Sequence, residues 1–237
     1  MIHTLLLGFL IGLKHALEAD HVAAVATLAS KATIKEGLVL GATWGLGHTI
    51  TLFIFGSAVL IIDTVISEQL ALTLEFFVGC MLVIMGGALL KEMFEKRIHL
   101  HIHRHSNGIP HLHFHSHAQD NIEHQANPHQ HNHTQPFAIR ALWVGMMHGM
   151  AGSAALILLT LDSVSSIGTG ILYILFFGIG SMFGMALLSM VIIIPLRYTE
   201  FTANRAYQGL QTFIGLATLF LGMMIIYETG ITNRLFI

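Results

Sequence analysis

The chain has 237 residues, 54% of them hydrophobic and only 10% charged, with a mean hydropathy of +0.71. A soluble domain carries about 25% charged residues, so this composition excludes an ordinary soluble enzyme, and a net charge of −2 gives no reason to expect nucleic acid as a partner. One cysteine, Cys80, excludes an intrachain disulfide and any thiol-pair redox chemistry, whereas histidine is in excess at 17 residues.

Six apolar stretches are long enough to cross a bilayer, which takes about 20 residues each. They lie near 4–29, 36–62, 70–92, 137–161, 167–195 and 206–228. The N-terminus, MIHTLLLGFLIGL, has no basic region before its apolar run, so it reads as the start of the first span and not as a cleaved signal. Residues 1–93 and 137–237 then form two three-helix units. Between them, 94–136 is polar, His-rich and of low complexity, and disorder without metal is expected there.

The first span contains GLKHALEADH, residues 12–21. Each ionisable group at mid-bilayer costs roughly 2.5–3.5 kcal/mol on insertion scales, so such a cluster marks a functional site. Imidazole and carboxylate together suit a divalent transition metal. On a straight helix, Asp20 lies about 140° from His15, and His21 about 120° the other way. Either the helix is unwound near Ala19, or His15, Glu18 and His21 share a stripe while Asp20 orients an imidazole. The sequence leaves both open. Lys14 is expected to neutralise Glu18 or Asp20. The second span adds His48 and Thr49 in GLGHT, and the fourth adds His148 and Ser153 in MMHGMAGSAAL. Met1 and His3 offer a further amine and imidazole at the chain start.

The two halves match at an offset of 133 residues. Gly12 falls on Gly145, His15 on His148, Gly45 on Gly178, Gly47 on Gly180 and Trp44 on Phe177. In the third helix of each half the offset is 136, laying 77–86 on 213–222. An odd number of spans per repeat inverts the second copy. The expected fold is an all-α membrane protein of six transmembrane helices built as two inverted three-helix repeats. The matched glycines would permit close helix approach. The second half lacks counterparts of Asp20 and His21, so one asymmetric site is expected, at mid-membrane between the first, second and fourth spans.

Nine of the 11 basic residues, Lys31, Lys35, Lys91, Lys96, Arg97, Arg104, Arg140, Arg197 and Arg205, fall on one side of a six-span arrangement. The positive-inside rule puts the His-rich loop in the cytoplasm and both termini outside. That loop holds His99, His101, His103, His105, His111, His113, His115, His117, His124, His129, His131 and His133. Imidazoles at every second position suit an extended chain that wraps an ion, with modest selectivity, as a metal buffer.

KHALEADH followed by GHT resembles the motifs of the NicO/nickel–cobalt transporter family, where Arg-His-Ala-x-Asp-Ala-Asp-His on one helix precedes Gly-His-Ser/Thr on the next. The resemblance implies His15, Asp20, His21 and His48 as metal-site residues. Lys14 and Glu18 depart from that pattern, and the later acidic motif of eight-span members has no recognisable copy. HGMAGS at 148–153 is similar to the six-span branch, which includes urease- and hydrogenase-associated permeases and efflux proteins. The expected function is a secondary permease for Ni²⁺ and/or Co²⁺ in a bacterial or archaeal cytoplasmic membrane, with the metal as substrate, no cofactor, and metallochaperones or urease or hydrogenase maturation proteins as partners. Inward movement of a dication is favoured by about 4.6 kcal/mol per 100 mV, so import is preferred over efflux. Rival readings are a permease for zinc, iron or manganese, and a membrane sensor or accessory protein acting through its loop. A membrane metalloprotease would need H-E-x-x-H, which is missing.

Overall fold

In lipid, an apolar segment has only its own backbone to satisfy its N–H and C=O groups, so each apolar stretch becomes a helix. The computed structural model describes residues 2–30, 32–62, 67–97, 101–104, 110–113, 134–161, 166–202, 204–233 and 235. The helices are α1 (Ile2–His15), α2 (Ala19–Ala29), α3 (Ile34–Ile62), α4 (Glu68–Arg97), α5 (Thr134–Leu161), α6 (Ile167–Thr202) and α7 (Asn204–Tyr227), and a π-helical turn, Glu228–Thr232, extends α7. Each of the six sequence stretches lies on one helix, except the first, which is the pair α1 and α2.

Helices α3, α4, α6 and α7 are long and apolar enough to cross a membrane, and α1 with α2 makes a fifth crossing if the bent pair is one span. The two axes differ by 59°. Helix α1 stops at His15, and α2 restarts at Ala19 after Glu18 in extended conformation. Of the two alternatives read from the sequence, the helix is thus the interrupted one, and the straight helix on which His15, Glu18 and His21 would share a stripe is not formed.

Large apolar side chains such as Leu6, Ile54, Ile84, Val191 and Phe220 face outward, as lipid contact requires. Inside, α3 runs between α5 and α6, α1 lies on α6, and α4 pairs with α7. Glycines set these approaches. A Cβ at Gly12 would collide with the Phe177 carbonyl, and one at Gly145 with the Trp44 carbonyl. One at Gly47 would strike the Leu142 carbonyl, and one at Gly180 the Phe9 carbonyl. Small residues let helices come this close, so dispersion replaces the hydrophobic drive that lipid removes.

Helix α2 packs against α7 and α6, and most of its hydrogen bonds to other helices come from α7. Thr218 bonds to Thr27 (2.9 Å) and to the Ala23 carbonyl (3.3 Å), while Tyr207 and Gln211 donate to the Ser30 carbonyl (3.1 and 3.2 Å). Arg197 of α6 donates to the Ala32 carbonyl (2.9 Å) and pairs with Glu200. The Ser30 carbonyl, at the C-cap of α2, lies where helical N–H partners run out, and Tyr207 and Gln211 fill that place.

Within the His-rich segment, the backbone forms two short antiparallel strands, β1 (His101–Arg104) and β2 (Pro110–His113), with His101 opposite His113 and His103 opposite His111. The stretch expected to be disordered, 94–136, is also helical at both ends, 94–97 in α4 and 134–136 in α5; its remaining residues, with His99, His105, His115, His117, His124, His129, His131 and His133, lie outside the described residues.

Candidate metal centre

The break after His15 turns α2 so that residues from both of its sides meet α3 and α5. Four imidazoles gather there: His15 from α1, His21 from α2, His48 from α3 and His148 from α5. All are buried, with His21, His48 and His148 at 1%, 0% and 1% exposure. Ring centroids of His15 and His21 are 4.4 Å apart, and those of His21 and His148 are 4.3 Å apart. His48 stands 5.3 Å from both His15 and His21.

Two carboxylates hold three of the four imidazoles. His15 Nδ1 bonds Glu18 Oε1 at 2.9 Å. Asp20 takes His21 Nδ1 on one oxygen at 3.0 Å and His148 Nε2 on the other at 2.7 Å. A carboxylate only accepts, so the ring nitrogen facing it carries the proton. The lone pairs then fall on His15 Nε2, His21 Nε2 and His148 Nδ1. Those three atoms, and both nitrogens of His48, are buried without a hydrogen-bond partner. Buried polar atoms are nearly always partnered, so five orphan nitrogens in one place call for a ligand. A carboxylate holding the far nitrogen of a metal-binding imidazole is the usual arrangement around transition metals.

One ring nitrogen each from His15, His21 and His48 lie within 4.8 Å of one another, and so do single ligand atoms from Asp20, His21 and His148. Two nitrogens on one ion are at most about 4.2 Å apart, since each bond is about 2.1 Å, so little movement would close either trio on an ion.

The remaining sequence candidates go elsewhere. Thr49 donates to the Gly45 and Gly178 carbonyls (2.7 and 2.9 Å), tying α3 to α6 away from the imidazoles. Glu18 is at the rim, its side chain 58% exposed. His3 is exposed on the first turn of α1, while Met1 and the side chain of Ser153 lie outside the described residues. Lys14 does not neutralise Glu18 or Asp20. It is exposed, one residue round the helix from His15, and the imidazoles already hold both carboxylates.

Two aromatic residues border the cluster and were not candidates from sequence. Phe177 lies 5.2 Å from His15, and Trp44 lies 5.5 Å from both His21 and His148. Both are fully buried and shield the imidazoles from the rest of the bundle. Their mutual match at the 133 offset was the available signal, since His15 and His148 match at the same offset.

Long apolar helices with lipid-suited outer faces, closed around an imidazole–carboxylate cluster, define a polytopic integral membrane protein. The chain is 36% identical over 249 residues to the urease accessory protein UreH of Bacillus sp. (strain TB-90), covering 100% of this chain and 96% of that protein. It belongs to the UreH family. It is also 30% identical over 183 residues to the chloroplast protein FOR GROWTH AND FERTILITY 1 of Arabidopsis thaliana, covering 75% of this chain and 46% of that protein. No family model matches the chain, and no solved structure matches it.

Proposed function

We propose that this protein is a secondary permease for a divalent transition-metal ion, Ni²⁺ and/or Co²⁺, importing it through a mid-membrane site of His15, Asp20, His21, His48 and His148. The observation that carries the reading is the trio of buried imidazoles with orphan nitrogens, two of them oriented by carboxylates. Imidazole nitrogen suits nickel and cobalt. The name of the urease accessory relative supports nickel among the candidate ions, and urease maturation as the destination.

Six spans in two inverted repeats, 1–93 and 137–237, are part of the proposal. Its support is a reciprocal packing pattern. Gly12 on Phe177 is matched by Gly145 on Trp44, and Gly180 on Phe9 by Gly47 on Leu142, each pair related by the 133 offset. Gly79 on Gly222 and Gly86 on Gly215 follow the 136 offset. Such repeats place a substrate site at their interface and move by rocking one unit against the other. The basic residues gathered on one side support a cytoplasmic 94–136 loop, as a buffer for arriving metal. Entry of a dication down the membrane potential supplies the drive.

Metal flux into proteoliposomes tests this. The intact chain is expected to admit Ni²⁺ or Co²⁺ faster than Zn²⁺, with His15→Ala and His48→Ala at the background rate. Flux unchanged in both variants would remove the site, and no flux of any ion would remove the permease.

A further inference from the structure

His21 is the one ligand candidate common to both trios, and its place in the cluster is unusual. His15 and His148 are repeat counterparts at the 133 offset, whereas residue 154, the counterpart of His21, is alanine. His21 stands midway between the matched pair, 4.4 Å from one ring and 4.3 Å from the other. An unmatched imidazole thus bridges two matched ones.

We propose that the ion occupies two successive positions that share His21: an all-nitrogen position made by His15, His21 and His48, and an oxygen-bearing position made by Asp20, His21 and His148. The inference rests on the permease reading and adds a second ion position to it.

The chemistry of a neutral imidazole keeps the two positions apart in time. Such a ring has one N–H and one lone pair. With its proton on Nδ1, toward Asp20, His21 offers Nε2 to the first position. To serve the second position through Nδ1, the ring must move that proton to Nε2, so no net proton is gained or lost. His148 likewise exchanges its Nε2 proton for the Nδ1 lone pair that is now orphaned. One lone pair on His21 means one ion held through it at a time. Filling the second position releases the first, and Asp20 is ready beside it because its oxygens already face both rings. Conduction needs sites that bind well enough to admit an ion and are numerous enough to let it go. A single five-ligand cage would bind and stall.

The test uses Co²⁺ as probe and the full chain. Its two tryptophans are Trp44, beside the cluster, and Trp143, 61% exposed. In a Trp143→Phe background, quenching of Trp44 fluorescence by Co²⁺ reports arrival at the cluster without counting ions on the His-rich loop. Proteoliposome flux is measured on the same preparations. His148→Gln removes the imidazole but keeps an amide able to donate to Asp20. Asp20→Asn is the second variant and keeps an oxygen for His21.

Both variants are expected to hold the quenching midpoint within about threefold of the parent while flux falls by about 10-fold or more, the range of losses when groups supporting a metal site are removed. His48→Gln is expected to lose quenching and flux together. The relay is overturned if His148→Gln shifts the midpoint as far as His48→Gln does, which means one shared cage, or if it transports at the parental rate. A parent that quenches but transports no Co²⁺ defeats the permease reading, and the relay with it.

Discussion

Asp20 accepts a hydrogen bond from His148 at 2.7 Å, joining residues 128 apart in the chain and from opposite halves of it. The same carboxylate holds His21, its neighbour. One acidic group thereby ties the break in the first span to α5.

This bond should be measurable as a coupling. Asp20→Ala, His148→Ala and the double variant form a cycle, read by thermal unfolding in detergent without metal. The expected interaction energy is about 1–3 kcal/mol, the range for a hydrogen bond to a charged group whose partner is otherwise left buried. Strict additivity would mean that the bond contributes nothing to holding the halves together.

Close glycine contacts give a second expectation. Gly12→Ala and Gly145→Ala each place a methyl group against a carbonyl of the neighbouring helix, so each should destabilise by about 1–3 kcal/mol through overpacking. Gly209→Ala, in α7, meets nothing within 4 Å and should stabilise by up to about 1 kcal/mol through helix propensity. Melting midpoints that move the same way for all three would refute the packing assignment.

Deleting 99–133 separates the membrane site from the loop. Total bound Ni²⁺ should fall, because up to 12 imidazoles are removed, while proteoliposome flux persists. Flux lost with the loop would transfer the function to the His-rich segment and favour a sensor or accessory role.

Much of this arrangement was legible in the sequence, for identifiable reasons. Hydrophobic length located the helices, because lipid permits little else. Polar residues at bilayer depth singled out His15, Asp20, His21, His48 and His148, because their insertion cost needs a return in function. How these residues come together was only half legible, since the sequence left an interrupted and a straight first helix both open. On an ideal helix Asp20 and His21 diverge from His15, and only the interruption at 16–18 brings them together. The offset of 133 paired Trp44 with Phe177 but could not say that each would lie against an imidazole of the other half. Lys14 was misread because proximity in sequence suggested a partner that the imidazoles had already taken.

The interruption at residues 16–18 has a mechanical consequence. Helix α1 is seated on α6, where Ser181 also bonds the Gly12 carbonyl, and α2 is fastened to α7 through Thr218, Tyr207 and Gln211. Because α6 also reaches the end of α2, through Arg197 and the Ala32 carbonyl, relative motion of α7 and α6 would act on α2 from both and reach the gap between His15 and His21, with three residues to absorb it. The spacing of the imidazoles would then be set at the hinge itself, so that a change of shape and a change of that spacing are one displacement.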